Sequence, residues 1–382
     1  MKVVHAISDL GLKSGGPSLS TYLLVKGLRA AGVDAHIVTC AVTDPSDAAI
    51  ASDAFVHAVP APRYRRWGYS AAFGAALEGL ADAEVFHGHG LWQYATFAAA
   101  RCARRHGRPY VVSTRGMLYP EALRISGGVK RVALSLYQRR DLCGAACIHA
   151  TCEQEHDVVR ACGISAPIAV IPNPVEVRLL PPAQAPATGK HRVGFIGRVD
   201  PIKNIESLIE AWARVRVSEA EWELVIVGGG DEGYVRSLGA LAGRLKLGNV
   251  SFTGFLHGRE KDEMLASFRY LVLPSKSENF GMVVPEALMC GIPVIASTGT
   301  PWSDLDSASG RCGWWVSRSA DGLAGALREA VALDDAARQA MGMNGRKLVE
   351  TRYNLGAVAS QMSLVYRWVQ SAGEVPACVR FA

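Results

Sequence analysis

At 382 residues, 49% hydrophobic and 20% charged, the chain is too apolar to be disordered and long enough for two globular domains. The formal net charge is +6. Residues 1–180 hold 19 Lys and Arg against 14 Asp and Glu, so the basic excess lies in the first half and suggests an anionic partner there: nucleic acid, phosphorylated lipid at a membrane surface, or nothing specific. No run of about 18 uncharged apolar residues occurs, so no spanning helix is expected. The opening Met1-Lys-Val-Val-His-Ala-Ile7 is too short for a signal core and reads as a strand. The nine cysteines are scattered among apolar neighbours with no C-x-x-C pair. They read as thiols of a reducing, cytoplasmic compartment, and Cys143 with Cys147 falls short of a zinc pattern.

In chain order, a strand over 2–8 leads into a loop with Gly15-Gly16, and Ser18 is the expected N-cap of a helix running to Gly32. Strand, Gly-rich loop and helix form a phosphate-binding arrangement. The G-x-G-x-x-G pattern and the Walker lysine are missing, so neither dinucleotide binding nor nucleotide triphosphate hydrolysis is supported. A strand over 34–40 follows. Arg63-Tyr-Arg-Arg-Trp67 is basic and aromatic and suits a solvated loop or a membrane interface. A strand over 84–87 leads to Gly88-His-Gly-Leu-Trp92, with His87 expected on the opposite face of the chain from His89. A helix over 96–106 and a strand over 110–113 precede Thr114-Arg-Gly-Met117. Residues 128–143 read as an amphipathic basic helix with Lys130, Arg131, Arg139 and Arg140, and with no apolar membrane anchor. Strands over 146–151 and 168–172 flank a helix over 153–162. His89, Arg115 and Gly15-Gly16 all fall at strand C-termini, where open α/β sheets bind ligands.

Residues 177–190, with Pro181, Pro182 and Pro186, read as a linker. A second strand–helix series follows: 193–196 into Gly197-Arg-Val-Asp-Pro-Ile-Lys-Asn204, a helix over 205–215, 222–227 into Gly228-Gly-Gly-Asp231, and a strand over 250–253. Strands over 293–296 and 314–317 lie further on, with helices over 323–333, 336–350 and 356–371. Each half alternates β and α, which implies two parallel sheets with helices on both faces and a ligand cleft between the domains.

The centre of the second half is Leu273-Pro-Ser-Lys-Ser-Glu-Asn-Phe-Gly-Met-Val-Val-Pro-Glu286. It reads as a buried strand end, a polar turn and a short helix over 282–290 that stops at Gly291. Pro285 fits only a first helical turn, so the helix starts within a residue or two of Gly281. Such an end attracts anions and stabilises the nearby carboxylates of Glu278 and Glu286.

Glu278, Phe280-Gly281, Glu286 and Gly291-Ile-Pro-Val294 together resemble family 4 of the retaining, nucleotide-sugar-dependent glycosyltransferases. The resemblance implies a GT-B fold of two Rossmann-like domains. These are an acceptor-binding domain over 1–176, the linker 177–190, a nucleotide-sugar domain over 191–355, and a helix over 356–382 that crosses back to the first domain. It implies that Arg198 and Lys203 clamp the donor diphosphate. Glu286 would hold the ribose, and Glu278 with the amides of Asn279, Phe280, Gly281 and Met282 would hold the donor sugar and diphosphate. Gly15 and Gly16 would close over the donor, Phe255 would line the base pocket, His89 would reach the donor sugar, and Arg115 would contact acceptor or donor. Catalytic roles fall to His89, Arg198, Lys203 and Glu278.

No cofactor or metal is expected, since the Arg/Lys clamp replaces a divalent ion and no D-x-D cluster stands at a strand end. The donor carries UDP or GDP. Gly88-His-Gly-Leu-Trp-Gln93 and Thr114-Arg-Gly-Met-Leu118 look like those of lipopolysaccharide and exopolysaccharide enzymes. This implies a polyprenyl-diphosphate-linked glycan acceptor, peripheral membrane association at the inner face of the cell membrane, and no nucleic-acid partner. The alternatives are a GT-B nucleotide-sugar epimerase and a non-catalytic sugar- or nucleic-acid-binding protein.

Overall fold

The structure, a computed structural model, describes residues 1–11, 16–40, 50, 52–61, 67–125, 127–177, 189–308, 310–371 and 373–382. Gly15, Arg63, Arg65, Arg66 and most of the expected linker lie outside the described residues. The chain divides into two units. Unit 1 is Met1–Glu176 with Tyr353–Ala382, and unit 2 is Val177–Arg352.

The strands of unit 1 are β1 (Lys2–Ala6), β2 (Asp34–Cys40), β3 (Val56–Val59), β4 (Val85–His89), β5 (Tyr110–Ser113), β6 (Cys147–Ala150) and β7 (Ile168–Val170). Those of unit 2 are β8 (His191–Ile196), β9 (Trp222–Val227), β10 (Val250–Gly254), β11 (Phe268–Leu273), β12 (Val294–Ser297) and β13 (Gly313–Val316). β14 (Val379–Arg380) belongs to unit 1, where it pairs antiparallel with β7. The unit 1 sheet runs β3-β2-β1-β4-β5-β6-β7-β14 and the unit 2 sheet β10-β9-β8-β11-β12-β13. Apart from β14, every ladder is parallel.

Both sheets wind outward from their first strand and then reverse. The reversal falls between β1 and β4 in unit 1 and between β8 and β11 in unit 2. At such a switch point neighbouring loops leave in opposite directions and open a crevice at the strand C-termini.

The strands form because their apolar runs are covered on both faces, as parallel sheets require. β4, β5 and β6 are buried at every residue. Alternate residues of β1 serve opposite cores. Val3 packs with Leu24, Leu28, Met362 and Val365, and Val4 with Phe73, Leu77, Ala99 and Ala103. The helices Gly16–Ala30 and Leu355–Ser371 cover one face of the sheet, and Ala71–Glu78 and Tyr94–Arg105 cover the other. Met362 and Val365 are wholly buried, and at about 1.5–3 kcal/mol per buried side chain such contacts hold the C-terminal helix to unit 1.

Three local expectations are corrected. The first helix starts at Gly16, so Ser18 sits inside it, and its hydroxyl donates to the Asp9 carbonyl at 2.8 Å. β4 continues through His89 instead of ending at His87. The basic helix is Gly127–Ala133, a π-helical turn Leu134–Gln138, and Arg139–Cys143. Among the described residues no helix is long and apolar enough to cross a membrane.

Candidate functional site

In unit 2 the loops after β8 and β11 meet at the switch point. Asp200 accepts from the Ile202 amide at 3.0 Å and folds Pro201–Lys203 into one 3-10 turn. Asn204 is left-handed at φ 57°, and its Nδ2 donates to the carbonyls of Pro274 (3.2 Å) and Arg318 (2.9 Å). The Lys276 amide donates to the Ile202 carbonyl at 2.7 Å. Gly228, at φ 139°, lets the loop after β9 pass so close to the Gly197 carbonyl that a Cβ would overlap it.

This stitching brings Lys203 to Glu278, although they are far apart in sequence. The Lys203 ammonium donates to the Glu278 carboxylate, and the Ser275 hydroxyl donates to the same oxygen at 3.2 Å. The Glu278 amide donates to the Gly299 carbonyl at 2.9 Å. The pair is about five-sixths buried, with exposures of 16% and 17%. Arg198, by contrast, is 70% exposed and 3.9 Å from Asp200, so its fork is more open to a ligand than the Lys203 ammonium.

The turn beyond Glu278 is anchored from below. Phe280 is buried against Trp302, with ring centroids 5.1 Å apart, and the Trp302 indole donates to the Phe280 carbonyl. The Phe280 side chain is therefore a core anchor for the turn whose amides the resemblance assigns to the donor. Gly281 has φ 78°, and a Cβ there would lie 2.7 Å from Leu273. The helix Val283–Met289 follows, with Pro285 in its first turn. Glu286 is bound by Lys261, 2.7 Å from Nζ to carboxylate. Lys261 has no sequence signal, since it sits in the polar helix Gly258–Ala266. Phe255 is 61% exposed and lies 4.8 Å from the His257 ring. Three cations, Arg198, Lys203 and Lys261, thus stand against the carboxylates of Asp200, Glu278 and Glu286. The carboxylates hold the two lysine ammonium groups in place.

In unit 1 the switch point holds a different assembly. His5 on β1, His87 and His89 on β4, and His149 on β6 are all buried. His87 and His89 stack at 4.1 Å, so they share a face. Side chains alternate along a strand with a period of two, which places residues two apart on the same side.

One chain of hydrogen bonds links the cluster. Arg115 Nη2 lies 2.9 Å from His89 Nδ1, and His89 Nε2 lies 2.9 Å from His5 Nδ1. His5 Nε2 lies 3.4 Å from Tyr366 Oη, which is 2.6 Å from His87 Nδ1. His87 Nε2 lies 2.7 Å from Ser113 Oγ, which is 2.7 Å from His149 Nδ1, and His149 Nε2 ends the chain 2.8 Å from the Ile171 carbonyl. A guanidinium only donates and a carbonyl only accepts. With neutral imidazoles, those two ends fix every link: all four histidines carry their proton on Nε2 and accept at Nδ1. Burial supports neutrality. It lowers His5 and His149 to about 3, and His87 and His89 well below their usual value, with the Arg115 charge adding to the effect.

His5, His87 and His89 bring ligand nitrogens within 4.8 Å of one another, but those nitrogens are engaged in the chain beside a guanidinium, which opposes a cation. Neither ring nitrogen of His89 is left for a donor sugar in this arrangement. Arg115, at φ 53°, is also turned inward. It donates to Asn173 (2.5 Å), Ser20 (3.2 Å) and Thr21 (3.2 Å), and burial lowers it to about 10. Its guanidinium is spent on these partners within unit 1. Glu155 organises the adjoining loop, accepting from Thr114 Oγ1 at 2.6 Å and the Thr151 amide at 2.7 Å.

Comparison with known proteins decides the family. Residues 178–348 match the family model of glycosyl transferases group 1, and residues 15–174 match that of the glycosyl transferase 4-like domain. The chain belongs to the glycosyltransferases. Family 4 fits both the matches and the glutamate motif. This glycosyltransferase is 26% identical over 319 residues to the GDP-mannose:cellobiosyl-diphosphopolyprenol alpha-mannosyltransferase of Xanthomonas campestris, covering 81% of this chain and 82% of that one. In fold it resembles sucrose-phosphate synthase from Thermosynechococcus elongatus, with TM-score 0.76, 23% identity, and coverage of 98% and 100%. It also resembles Anabaena HepE, solved with UDP and glucose, with TM-score 0.74, 20% identity, and coverage of 96% and 99%. These neighbours share its GT-B architecture of two Rossmann-like units, and a nucleotide sugar is the donor class the family uses.

Proposed function

We propose that this glycosyltransferase moves a hexosyl group, with retention of configuration and without a divalent metal, from a nucleoside diphosphate sugar to a lipid-linked glycan in surface polysaccharide assembly. The observation that carries the reading is the Lys203–Glu278 pair at the unit 2 switch point, with Arg198 open beside it. As the bond from C1 to the β-phosphate oxygen breaks, negative charge grows on the leaving diphosphate. Lys203 and Arg198 stabilise that charge more than the ground state. The acceptor hydroxyl attacks C1 from the face the diphosphate leaves, its proton passes to a β-phosphate oxygen, and the nucleoside diphosphate departs. Glu278 orients Lys203 and the sugar hydroxyls, and Glu286 accepts from the ribose. The lipid-linked acceptor is supported by the Xanthomonas relative, an alpha-mannosyltransferase named for a cellobiosyl-diphosphopolyprenol acceptor.

The test is a panel of labelled UDP- and GDP-sugars offered with polyprenyl-diphosphate glycans. Transfer to lipid with an unchanged anomeric configuration supports the reading. Inverted product, C2 inversion of the sugar without transfer, or no turnover with any donor overturns it. EDTA is expected to leave the rate unchanged. The Asp304-Leu-Asp306 sequence of unit 2 has its carboxylates bound by Arg352 (2.6 Å) and Arg311 (2.9 Å), which makes it a poor metal site. A rate lost with EDTA and restored by Mg²⁺ would show that a metal shares the work of the clamp.

A further inference from the structure

We propose that Glu78, Cys102 and His106 form a zinc site that staples the helix Ala71–Glu78 to the helix Tyr94–Arg105. Cys102 and His106 stand one helical turn apart, so their side chains rise from one side of the second helix. Glu78 closes the first helix beside them. The Cys102 thiol reaches across to that end, 3.8 Å from the Leu77 carbonyl, and His106 Nε2 lies 2.7 Å from Glu78 Oε2. One ligand atom from each of the three residues lies within 4.8 Å of the other two. Tetrahedral zinc, bound at about 2.3 Å to sulfur and about 2.0–2.2 Å to nitrogen and oxygen, needs its ligands roughly 3.3–3.6 Å apart. Small side-chain rotations bring the cluster to that spacing, and Glu78 and His106 are exposed and free to make them.

The backbone here also favours a cation. Both helices end at this point, with Gly79 capping the first and His106 the second. A helix C-terminus carries partial negative charge and carbonyls without an intrahelical partner. The opposing charges are Arg105, 2.9 Å from Glu78 Oε1, and Arg101. Both are exposed and can turn into water, unlike the buried Arg115 beside the histidine cluster.

The donor set selects the metal. Thiolate, imidazole and a single carboxylate suit zinc, whereas magnesium and calcium take shells of oxygen. The hydrogen bond from His106 holds the Glu78 carboxyl below its usual range, so it is ionised. Burial, with the Glu78 charge adding, pushes the Cys102 thiol up to about 11. The thiol therefore gives its proton to water as the zinc–sulfur bond forms, and a water completes the tetrahedron from the exposed side. The helix Tyr94–Arg105 leaves the end of β4 and returns the chain to the start of β5. Its C-terminus thus lies at the edge of the unit 1 sheet opposite the strand C-termini, and the ion holds structure without entering the chemistry. The inference concerns unit 1 alone and stands independently of which donor or acceptor the enzyme uses.

The test uses the full chain, stripped with EDTA and dialysed, then titrated with Zn²⁺ against a chromophoric chelator and separately with Co²⁺. Wild type is expected to take up one zinc per chain, to melt at a higher temperature with zinc than without, and to show a near-ultraviolet thiolate-to-cobalt band. Cys102→Ser should lose the band, while Cys143→Ser, at an exposed thiol, should keep it. Cys102 is buried and its replacement also perturbs the core, so His106→Gln gives a second reading. At this exposed site the variant should melt like metal-free wild type, bind zinc more than about tenfold more weakly, and lose the zinc-induced rise in melting temperature. The proposal is overturned if wild type shows no thiolate-to-cobalt band, if the band survives Cys102→Ser, or if His106→Gln binds zinc as tightly as wild type.

Discussion

Lys203→Ala is expected to lower turnover about 10²-fold, the typical loss when one preorganised donor to a developing negative charge is removed. The position supports a large effect. Lys203 sits on a 3-10 turn stitched to the loop after β11, so its ammonium is fixed in place by neighbouring loops. The variant also strips Glu278 of its cation, leaving a mostly buried carboxylate with the Ser275 hydroxyl as a remaining donor. Two changes separate charge loss from misfolding. Lys203→Ala with Glu278→Gln removes the orphaned carboxylate and should melt close to wild type, yet remain slow. Arg198→Ala, at an exposed site, should melt like wild type and also lose about 10²-fold in turnover. Steady-state release of nucleoside diphosphate reads both variants, and near-normal rates in both would remove the diphosphate from this corner of unit 2.

Acid is expected to loosen unit 1 well before unit 2. Unfolded histidines titrate near 6.5, whereas folded His5 and His149 are lowered to about 3 and His87 and His89 are lowered strongly. The folded state therefore binds fewer protons than the unfolded one over this interval. The stability contributed by the cluster is fully present above about pH 6.5 and falls as pH drops below it, by up to about 1.4 kcal/mol per pH unit for each histidine. Native-state hydrogen exchange resolves the units. Corrected for intrinsic rate, protection in β1, β4, β5 and β6 should drop between pH 7 and pH 5, with little change in β8, β9 and β11. Tyr366→Phe should weaken the same strands at neutral pH, since it leaves His87 Nδ1 without its donor and His5 Nε2 without its acceptor, at about 1–3 kcal/mol for each orphaned group. Equal acid sensitivity in both units, or an unaffected Tyr366→Phe, would show that the hydrogen-bond chain does not carry the stability assigned to it.

What the sequence disclosed depended on how locally each feature is encoded. Pro285 and Gly281 bounded a helix that runs Val283–Met289, because both residues restrict the backbone where they stand. The apolar runs marked most strands, since a strand covered on both faces is largely apolar. Pairings across the sheet were less visible. Lys203 with Glu278, and Lys261 with Glu286, join residues from different βα loops, and only the strand order brings them together. The stacking of His87 on His89 was within reach of the two-residue period, but required β4 to continue beyond His87.

The most direct measurement is titration of bare UDP and GDP into wild type, Glu286→Gln and Glu278→Gln. Glu286 is assigned to the ribose, which the bare nucleotide retains, so Glu286→Gln should weaken binding of the preferred nucleotide by about tenfold, as loss of a charged hydrogen-bond partner does. Glu278 is assigned to the sugar and to orienting Lys203. Glu278→Gln should therefore keep nucleotide affinity near wild type while losing transfer. Equal loss of bare-nucleotide affinity in both variants, or no loss in either, would contradict the assignment of the donor to these residues.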